Sequence, residues 1–130
     1  VGDRHLAFFG DSRARAYAVD AETGKLVWKV TADESNLVRV TGAPAYHDGK
    51  LYVPLSTTED GPAVNPKYEC CVSRGGVVAL NAATGAKIWT AYSIVEEPTK
   101  RGKNKIGTQL WGPSGAAIWN SPTIDVKRKV

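Results

Sequence analysis

The chain of 130 residues contains no methionine, and its only two cysteines, Cys70 and Cys71, are neighbours. No apolar run approaches the roughly 20 residues that a membrane-spanning helix needs. No capped segment carries a 3.6-residue apolar period over the length of a confident helix. The chain also opens on Val1 rather than on an initiator methionine. We therefore expect an all-β segment of a longer protein, without a membrane span.

Several familiar functional patterns are also missing. His5 and His47 show no metal-ligand spacing, and the chain contains no Ser/His/Asp arrangement and no phosphate-binding glycine loop. The net charge is +4, with basic clusters at 100–105 and 127–129. Since no aromatic residue interleaves with the first cluster, we interpret the two clusters as a solvated loop and a solvated turn. Nucleic-acid binding is not expected.

What the chain does have is an internal repeat. Residues 17–28 return as residues 78–89, with no gap, so that Trp28 and Trp89 are 61 positions apart. A repeat with a fixed register indicates a copied supersecondary unit. Such units bury their apolar faces by stacking on their neighbours.

The repeated segment predicts a β-hairpin. Asp20 and Asn81 can accept hydrogen bonds from backbone amides just downstream, and Gly24 and Gly85 can take the positive φ that closes the turn. The tryptophan that follows suits burial between adjacent sheets. Strands are expected where short β-branched or aromatic runs occur, at 6–9, 16–19, 26–30, 51–55, 77–80 and 87–92.

The order of these strands predicts four-stranded units. Residues 42–53 read as two hairpin strands joined by an Asp-Gly turn, and 121–125 repeat the opening of that segment, with Val130 beginning the partner strand. Residues 5–30 then end one unit, 41–92 form a complete unit, and 118–130 begin the next. Repeated four-stranded units are typical of a β-propeller.

A resemblance to a known family supports this architecture. The pattern Ala-x-Asp-x-x-Thr-Gly-x-x-x-Trp, matched by 18–28 and nearly matched by 79–89, resembles the tryptophan-docking motif of quinoprotein propellers. Residues 8–17, 67–71 and 107–113 are similar to the polyvinyl-alcohol dehydrogenase branch of the alcohol dehydrogenases that use pyrroloquinoline quinone (PQQ). The resemblance implies about two blades of an eight-bladed propeller. The motif itself bears on the fold, since non-enzymatic propellers carry it as well.

The adjacent cysteines allow two interpretations from the residues alone. Cys70 and Cys71 are either two free thiols on opposite faces of a strand or a strained disulfide ring. The resemblance implies the ring, packed on one face of PQQ. In the family, however, the pair comes one blade earlier, whereas here it lies in the loop that precedes Arg74.

The resemblance also implies roles for four further residues. Trp119 would stack beneath PQQ, opposite the disulfide, and Thr41 would bond a PQQ oxygen through its hydroxyl. Arg74 would bind a PQQ carboxylate, because a guanidinium forms bidentate, charge-assisted bonds. Glu69 would ligate the Ca²⁺ bound to PQQ, although Ca²⁺ needs six to eight oxygen ligands. Ordinary alternatives remain open for all four: core packing, a strand threonine, a surface salt bridge and a solvated glutamate.

The function implied is that of a PQQ-dependent alcohol dehydrogenase, periplasmic or secreted, with an alcohol substrate and a cytochrome c-type electron acceptor. A catalytic base would lie in other blades, so the chain alone is expected to be inactive. The alternative is a propeller without PQQ that serves as an interaction scaffold in the cell envelope. Cys70 and Cys71 together with Trp119 favour the enzyme, because a scaffold does not need them.

Overall fold

The computed structural model describes residues 1–129, so Val130, where the sequence predicts the start of a strand, lies outside the described residues. Short β-branched and aromatic runs separated by Gly, Asp, Asn and Pro give a chain of strands and turns. In chain order the strands are β1 Leu6–Gly10, β2 Arg15–Asp20, β3 Leu26–Thr31, β4 Val38–Arg39, β5 Ala45–His47, β6 Lys50–Thr57, β7 Gly76–Asn81, β8 Lys87–Tyr92, β9 Thr99–Lys103 and β10 Gln109–Gly112. A four-residue helix, α1, covers Asp60–Ala63.

The first sheet is antiparallel, in the order β1-β2-β3. Phe8 pairs with Ala18, which pairs in turn with Trp28. Ala16 and Ala18 are fully buried, and their short side chains leave room for the second sheet to approach. Gly10 lies so close to Val40 that a Cβ atom there would sit 2.2 Å from a Val40 methyl carbon. The absence of a side chain at Gly10 thus lets the segment after β4 pack closely against the first sheet.

The second sheet repeats this arrangement. Strands β5, β6, β7 and β8 pair antiparallel in sequence order, and β4 pairs with the far end of β6. Tyr52 pairs with Ala79, which pairs with Trp89, as Phe8, Ala18 and Trp28 do in the first sheet. The all-β, propeller-type sheet architecture predicted from the repeat is confirmed. The division of the chain into blades at 5–30, 41–92 and 118–130 stays a prediction.

The two repeated turns have the predicted chemistry. The Asp20 carboxylate accepts hydrogen bonds from the amides of Glu22 and Thr23, at 3.2 and 2.8 Å. The Asn81 side chain accepts them from Ala83 and Thr84, at 3.0 and 3.1 Å. The glycines that close these turns have φ values of 69° and 75°.

Trp28 joins the two sheets. Its indole Nε1 donates a 3.0 Å hydrogen bond to the Ala82 carbonyl, and its ring lies against Gly85, where a Cβ atom would be 2.8 Å away. Trp28 is 8% exposed, as predicted, but Trp89 is 42% exposed, so its predicted burial is wrong in this structure. The reason is that no sheet covers Trp89 within residues 1–129.

Two further expectations need correction. The basic segment expected to be a loop contains strand β9, which forms a hairpin with β10, although all five residues of β9 are exposed as predicted. Residues 118–129 form no strand; 126–129 make a turn. Among the described helices none is long and apolar enough to cross a membrane.

Candidate functional site

One segment, residues 111–119, runs past several of the predicted site residues. At its start, Trp111 exchanges backbone hydrogen bonds with the cysteine pair: its amide donates to the Cys70 carbonyl at 2.6 Å, and the Cys71 amide donates to its carbonyl at 3.3 Å. At its end, the Trp119 carbonyl accepts a 3.3 Å hydrogen bond from the Thr41 hydroxyl. Loops that are far apart in sequence are therefore tied to a single stretch of chain.

The middle of this segment is fixed by close backbone contacts. Gly115 donates to the Ser73 carbonyl and accepts from Gly75, both at 2.8 Å, and Ile118 donates to Leu55 at 3.1 Å. A Cβ atom on Gly75 would lie 2.3 Å from the Ala116 carbonyl oxygen, so glycine is required for this approach. The segment is thus held against β6 and the loop before β7.

Cys70 and Cys71 form a disulfide, across a peptide bond that is cis. The vicinal disulfide implied by the family resemblance is therefore present, and the free-thiol alternative is wrong in this structure. Both cysteines are partly buried. Their backbone contacts with Trp111 place the ring beside β10.

Glu69 is exposed and receives a long, 3.5 Å contact from the Trp111 indole nitrogen. Within residues 1–129, no group of three or more His, Cys, Asp or Glu side chains is placed to hold a metal ion. A single carboxylate cannot satisfy Ca²⁺. The donor set of this chain therefore does not by itself make a calcium site.

Thr41 and Trp119 are in contact at the end of segment 111–119 that is farther along the chain from the disulfide contact. The Thr41 hydroxyl also donates to Ser56 Oγ at 3.1 Å. The Ser56 hydroxyl in turn donates to the Arg39 carbonyl at 3.1 Å. The Trp119 ring is 49% exposed and so presents an open aromatic face. A Cβ atom on Gly42 would lie 2.8 Å from the Trp119 carbonyl oxygen, which explains the glycine after Thr41.

The Arg74 side chain contacts Tyr92 and the segment that follows β8. Its guanidinium lies 4.1 Å from the centre of the Tyr92 ring and donates to the carbonyls of Val95 and Glu96 at 3.0 and 3.3 Å. The side chain is only 14% exposed. These contacts hold the segment after β8 and occupy guanidinium donors that the family resemblance assigns to a PQQ carboxylate.

Sequence reasoning missed Glu59, whose carboxylate is 3% exposed. It accepts hydrogen bonds from the Tyr68 hydroxyl at 2.9 Å and from the amides of Val72 and Ser73 at 2.8 and 2.5 Å. Burial acts to raise the pKa of Glu59, but the hydrogen bonds from Ser73, Tyr68 and Val72 outweigh it and hold the pKa below its usual range. Glu59 thus anchors both ends of the loop that carries the disulfide. Nothing local in the sequence separates it from a solvated loop glutamate.

A polar cavity of about 520 Å³ lies beside the disulfide loop, bordered by Glu69, Trp111 and three lysines, Lys67, Lys100 and Lys103. Lys100 Nζ is 5.6 Å from the centre of the Trp111 ring. A larger, apolar cavity of about 880 Å³ lies over the open face of the second sheet, next to Trp89 and Tyr52.

The residues fit PQQ in part. A flat, multiply charged quinone needs apolar faces above and below its ring and donors for its oxygens. The disulfide and the open face of Trp119 are surfaces of the first kind, whereas the single Thr41 hydroxyl proton is already directed at the Trp119 carbonyl and Ser56 Oγ. Arg74 is already engaged, and Glu69 stands alone as a carboxylate.

Comparison with known proteins gives matches along most of the chain. A family model described as "Outer membrane protein assembly factor BamB" matches residues 1–106. The chain is 46% identical over 125 residues to a polyvinylalcohol dehydrogenase of Pseudomonas sp, covering 96% of this chain and 20% of that protein. It is 47% identical over 123 residues to the polyvinylalcohol dehydrogenase of Sphingopyxis sp. (strain 113P3), covering 95% and 19%.

A solved structure shares the fold. The quinohemoprotein alcohol dehydrogenase ADHIIG of Pseudomonas putida HK5 superposes with a TM-score of 0.66 at 22% identity, covering 94% of this chain and 18% of that one. At this identity the similarity bears on the fold alone.

The two stacked sheets joined by Trp28 are therefore part of a β-propeller of the quinoprotein type. The chain belongs to the family whose model carries the BamB description, and its predicted resemblance to PQQ alcohol dehydrogenases of the polyvinyl-alcohol dehydrogenase type is confirmed. It spans about a fifth of the length of those relatives.

Proposed function

We propose that this chain forms part of the wall of a PQQ pocket in a quinoprotein alcohol dehydrogenase. The observation that supports the proposal is the segment 111–119, which is bonded to the disulfide at one end and to Thr41 at the other. The similarity to two proteins named as dehydrogenases points the same way and does not favour the scaffold alternative.

In this proposal each residue has a limited task. The ring of Cys70 and Cys71 and the indole of Trp119 bound the two faces of the cofactor. The Thr41 hydroxyl donates to one of its oxygens, which requires its proton to turn away from the Trp119 carbonyl and Ser56 Oγ. Glu69 gives one carboxylate to Ca²⁺, whose remaining ligands come from outside this chain. The proposed contact of Arg74 with a PQQ carboxylate requires its guanidinium to serve the cofactor in addition to the carbonyls it already binds. When bound, the cofactor would supply the hydride-accepting quinone for alcohol oxidation.

The proposed setting follows from the same chemistry. A disulfide persists in oxidising compartments, so we place the protein in the periplasm or outside the cell. An alcohol is the proposed substrate and a cytochrome c-type protein the proposed electron acceptor. The catalytic base lies outside this chain, so residues 1–130 alone are expected to have no dehydrogenase activity.

The experiment is a chimera. Residues of this chain replace the matching segment of the Sphingopyxis polyvinylalcohol dehydrogenase, which is 47% identical over 123 residues. We expect a folded chimera that binds PQQ and oxidises alcohol in a PQQ-dependent manner. Trp119→Ala and Cys71→Ser should weaken PQQ binding, whereas Ile88→Ala, on an exposed strand position, should not. A folded chimera that fails to bind PQQ contradicts the proposal.

A further inference from the structure

The hairpin of β9 and β10 and the loop that carries the disulfide form the two walls of the polar cavity of about 520 Å³. The loop is tied to the hairpin at two places: the Asn104 side-chain amide donates a 2.6 Å hydrogen bond to the Pro66 carbonyl, and the Trp111 backbone amide donates to the Cys70 carbonyl. All residues that line the cavity lie between positions 67 and 111. Its walls therefore do not depend on a neighbouring blade.

A bulge in the hairpin brings two lysines to the same face. Residues of a regular strand alternate between faces, so Lys100 and Lys103 would lie on opposite faces of β9. The pairing with β10 skips Arg101, however, and the bulge restores both lysines to the face that lines the cavity. Arg101 Nε instead donates to the Gly112 carbonyl at 2.8 Å. Gly102, beside the bulge, has a φ of 135°, which residues with a side chain rarely adopt.

The charges that line the cavity are mostly positive. Lys67, from the loop, joins Lys100 and Lys103, whereas Glu69 is the only acidic residue of the lining. Among residues 1–129, none of these three lysines forms a salt bridge. Lys100 Nζ lies over the Trp111 ring, 5.6 Å from its centre. Three ammonium groups that line one cavity repel one another, and a bound anion removes that repulsion.

We propose that this cavity binds a phosphate dianion, either free or as a small phosphate monoester. Lysine ammonium groups are compact point charges, which bind phosphate without the fork geometry that matches a planar carboxylate. The three positive charges of the lining exceed its one negative charge by two, which matches a dianion. Thr108 lines the same cavity and adds a hydroxyl donor. Because binding needs no PQQ, this site is separate from the proposed enzymatic function.

The test is a calorimetric titration of the folded chain with inorganic phosphate, at constant ionic strength and at a mildly alkaline pH where phosphate is a dianion. We expect saturable binding. Lys100→Gln and Lys103→Gln should each weaken it about tenfold, because each removes a charge-assisted contact. Lys105→Gln is the matched control, because Lys105 is exposed in the turn of the same hairpin but does not line the cavity. It should change the dissociation constant by less than about twofold.

Two further variants separate a shaped site from general attraction between charges. Gly102→Ala keeps every charge but disfavours the positive φ beside the bulge, so it should also weaken phosphate binding. Glu69→Gln removes the one opposing charge of the lining and should tighten binding roughly threefold. Circular dichroism establishes that each variant is folded. Glycerol 3-phosphate, titrated in the same way, distinguishes a monoester from free phosphate by which of the two binds more tightly.

Three results would overturn the proposal. The first is an equal loss of binding in Lys100→Gln, Lys103→Gln and the Lys105→Gln control, since phosphate would then respond only to the total charge. The second is the absence of saturable binding by either probe. The third comes from repeating the titration on the chimera described above, in which the other blades are present: binding to the chain but not to the chimera would mean that the cavity is covered in the whole protein.

Discussion

The Tyr92 hydroxyl donates a 3.0 Å hydrogen bond to the Asp33 carboxylate and thereby links the last strand of the second sheet to the segment that leaves the first. The same ring carries the Arg74 guanidinium on its face, at 4.1 Å. Burial, followed by the hydrogen bond to Asp33, raises the pKa of Tyr92, so its hydroxyl stays protonated as a donor. Tyr92 therefore takes part in two contacts: its hydroxyl connects the two sheets through Asp33, and its ring supports Arg74, which binds residues 94–97.

Tyr92→Phe separates these two contributions. The ring remains under Arg74, but the hydrogen bond to Asp33 is lost, and we expect the free energy of unfolding to fall by about 1 kcal/mol. Tyr92→Ala should cost more, since the cation–π contact and the buried ring area are lost as well. Chemical denaturation measures both. Equal losses for the two variants would show that the ring contributes nothing.

The repeated tryptophans provide a matched comparison. Trp28→Ala removes a buried ring and leaves the Ala82 carbonyl without its donor, so we expect a loss of roughly 3–5 kcal/mol in the free energy of unfolding. Trp89→Ala should cost far less because its ring is partly in water. Denaturant titration of both variants under the same conditions checks this order. A reversed order would mean that Trp28 does not hold the sheets together.

Glu59 makes the stability of the disulfide loop depend on pH. Its pKa is depressed in the folded chain, so its stabilising contribution is present above the pKa of the unfolded chain and is lost as the pH falls through the folded pKa. Glu59→Gln should reduce the free energy of unfolding at neutral pH by about 2 kcal/mol. The difference from the unmodified chain should shrink in acid.

The control for this experiment is Glu34→Gln, at an exposed position. It should leave the free energy of unfolding nearly unchanged at every pH. A difference between Glu59→Gln and the unmodified chain that persists undiminished in acid would contradict an ionised, hydrogen-bonded Glu59.

The disulfide gives a direct chemical prediction. Unfolded protein that has not been reduced should show no reactive thiol, and reduction should release both cysteines of the chain. Titration with a chromogenic thiol reagent, together with the mass increase after alkylation, measures this. Thiols that react before reduction would contradict the bond between Cys70 and Cys71.

The sequence predicts the hairpins well because their signals are local. Asp20 and Gly24 specify the first turn by their own hydrogen bonding and φ, and Asn81 and Gly85 specify the second in the same way. The burial of Trp28 also follows from the repeat, since a following unit is present in the chain to cover it.

The parts that could not be predicted depend on distant contacts. Strand β9 has an exposed, basic sequence and becomes a strand because β10 pairs with it. Glu59 is buried only because Tyr68 and the loop amides fold over it. Arg74 is directed by the ring of Tyr92, which lies beyond the repeat signal. In each case the deciding partner comes from another element.

The bond between Cys70 and Cys71 joins residues that the backbone already holds next to each other. A disulfide stabilises a fold mainly by closing a loop in the unfolded chain, and this one closes the smallest loop possible. It therefore adds little to the free energy of unfolding of the propeller. It does provide a compact sulfur surface, without ionisable thiols, where the loop meets β10. Reduction would change the chemistry of that surface without removing a cross-link between distant parts of the chain.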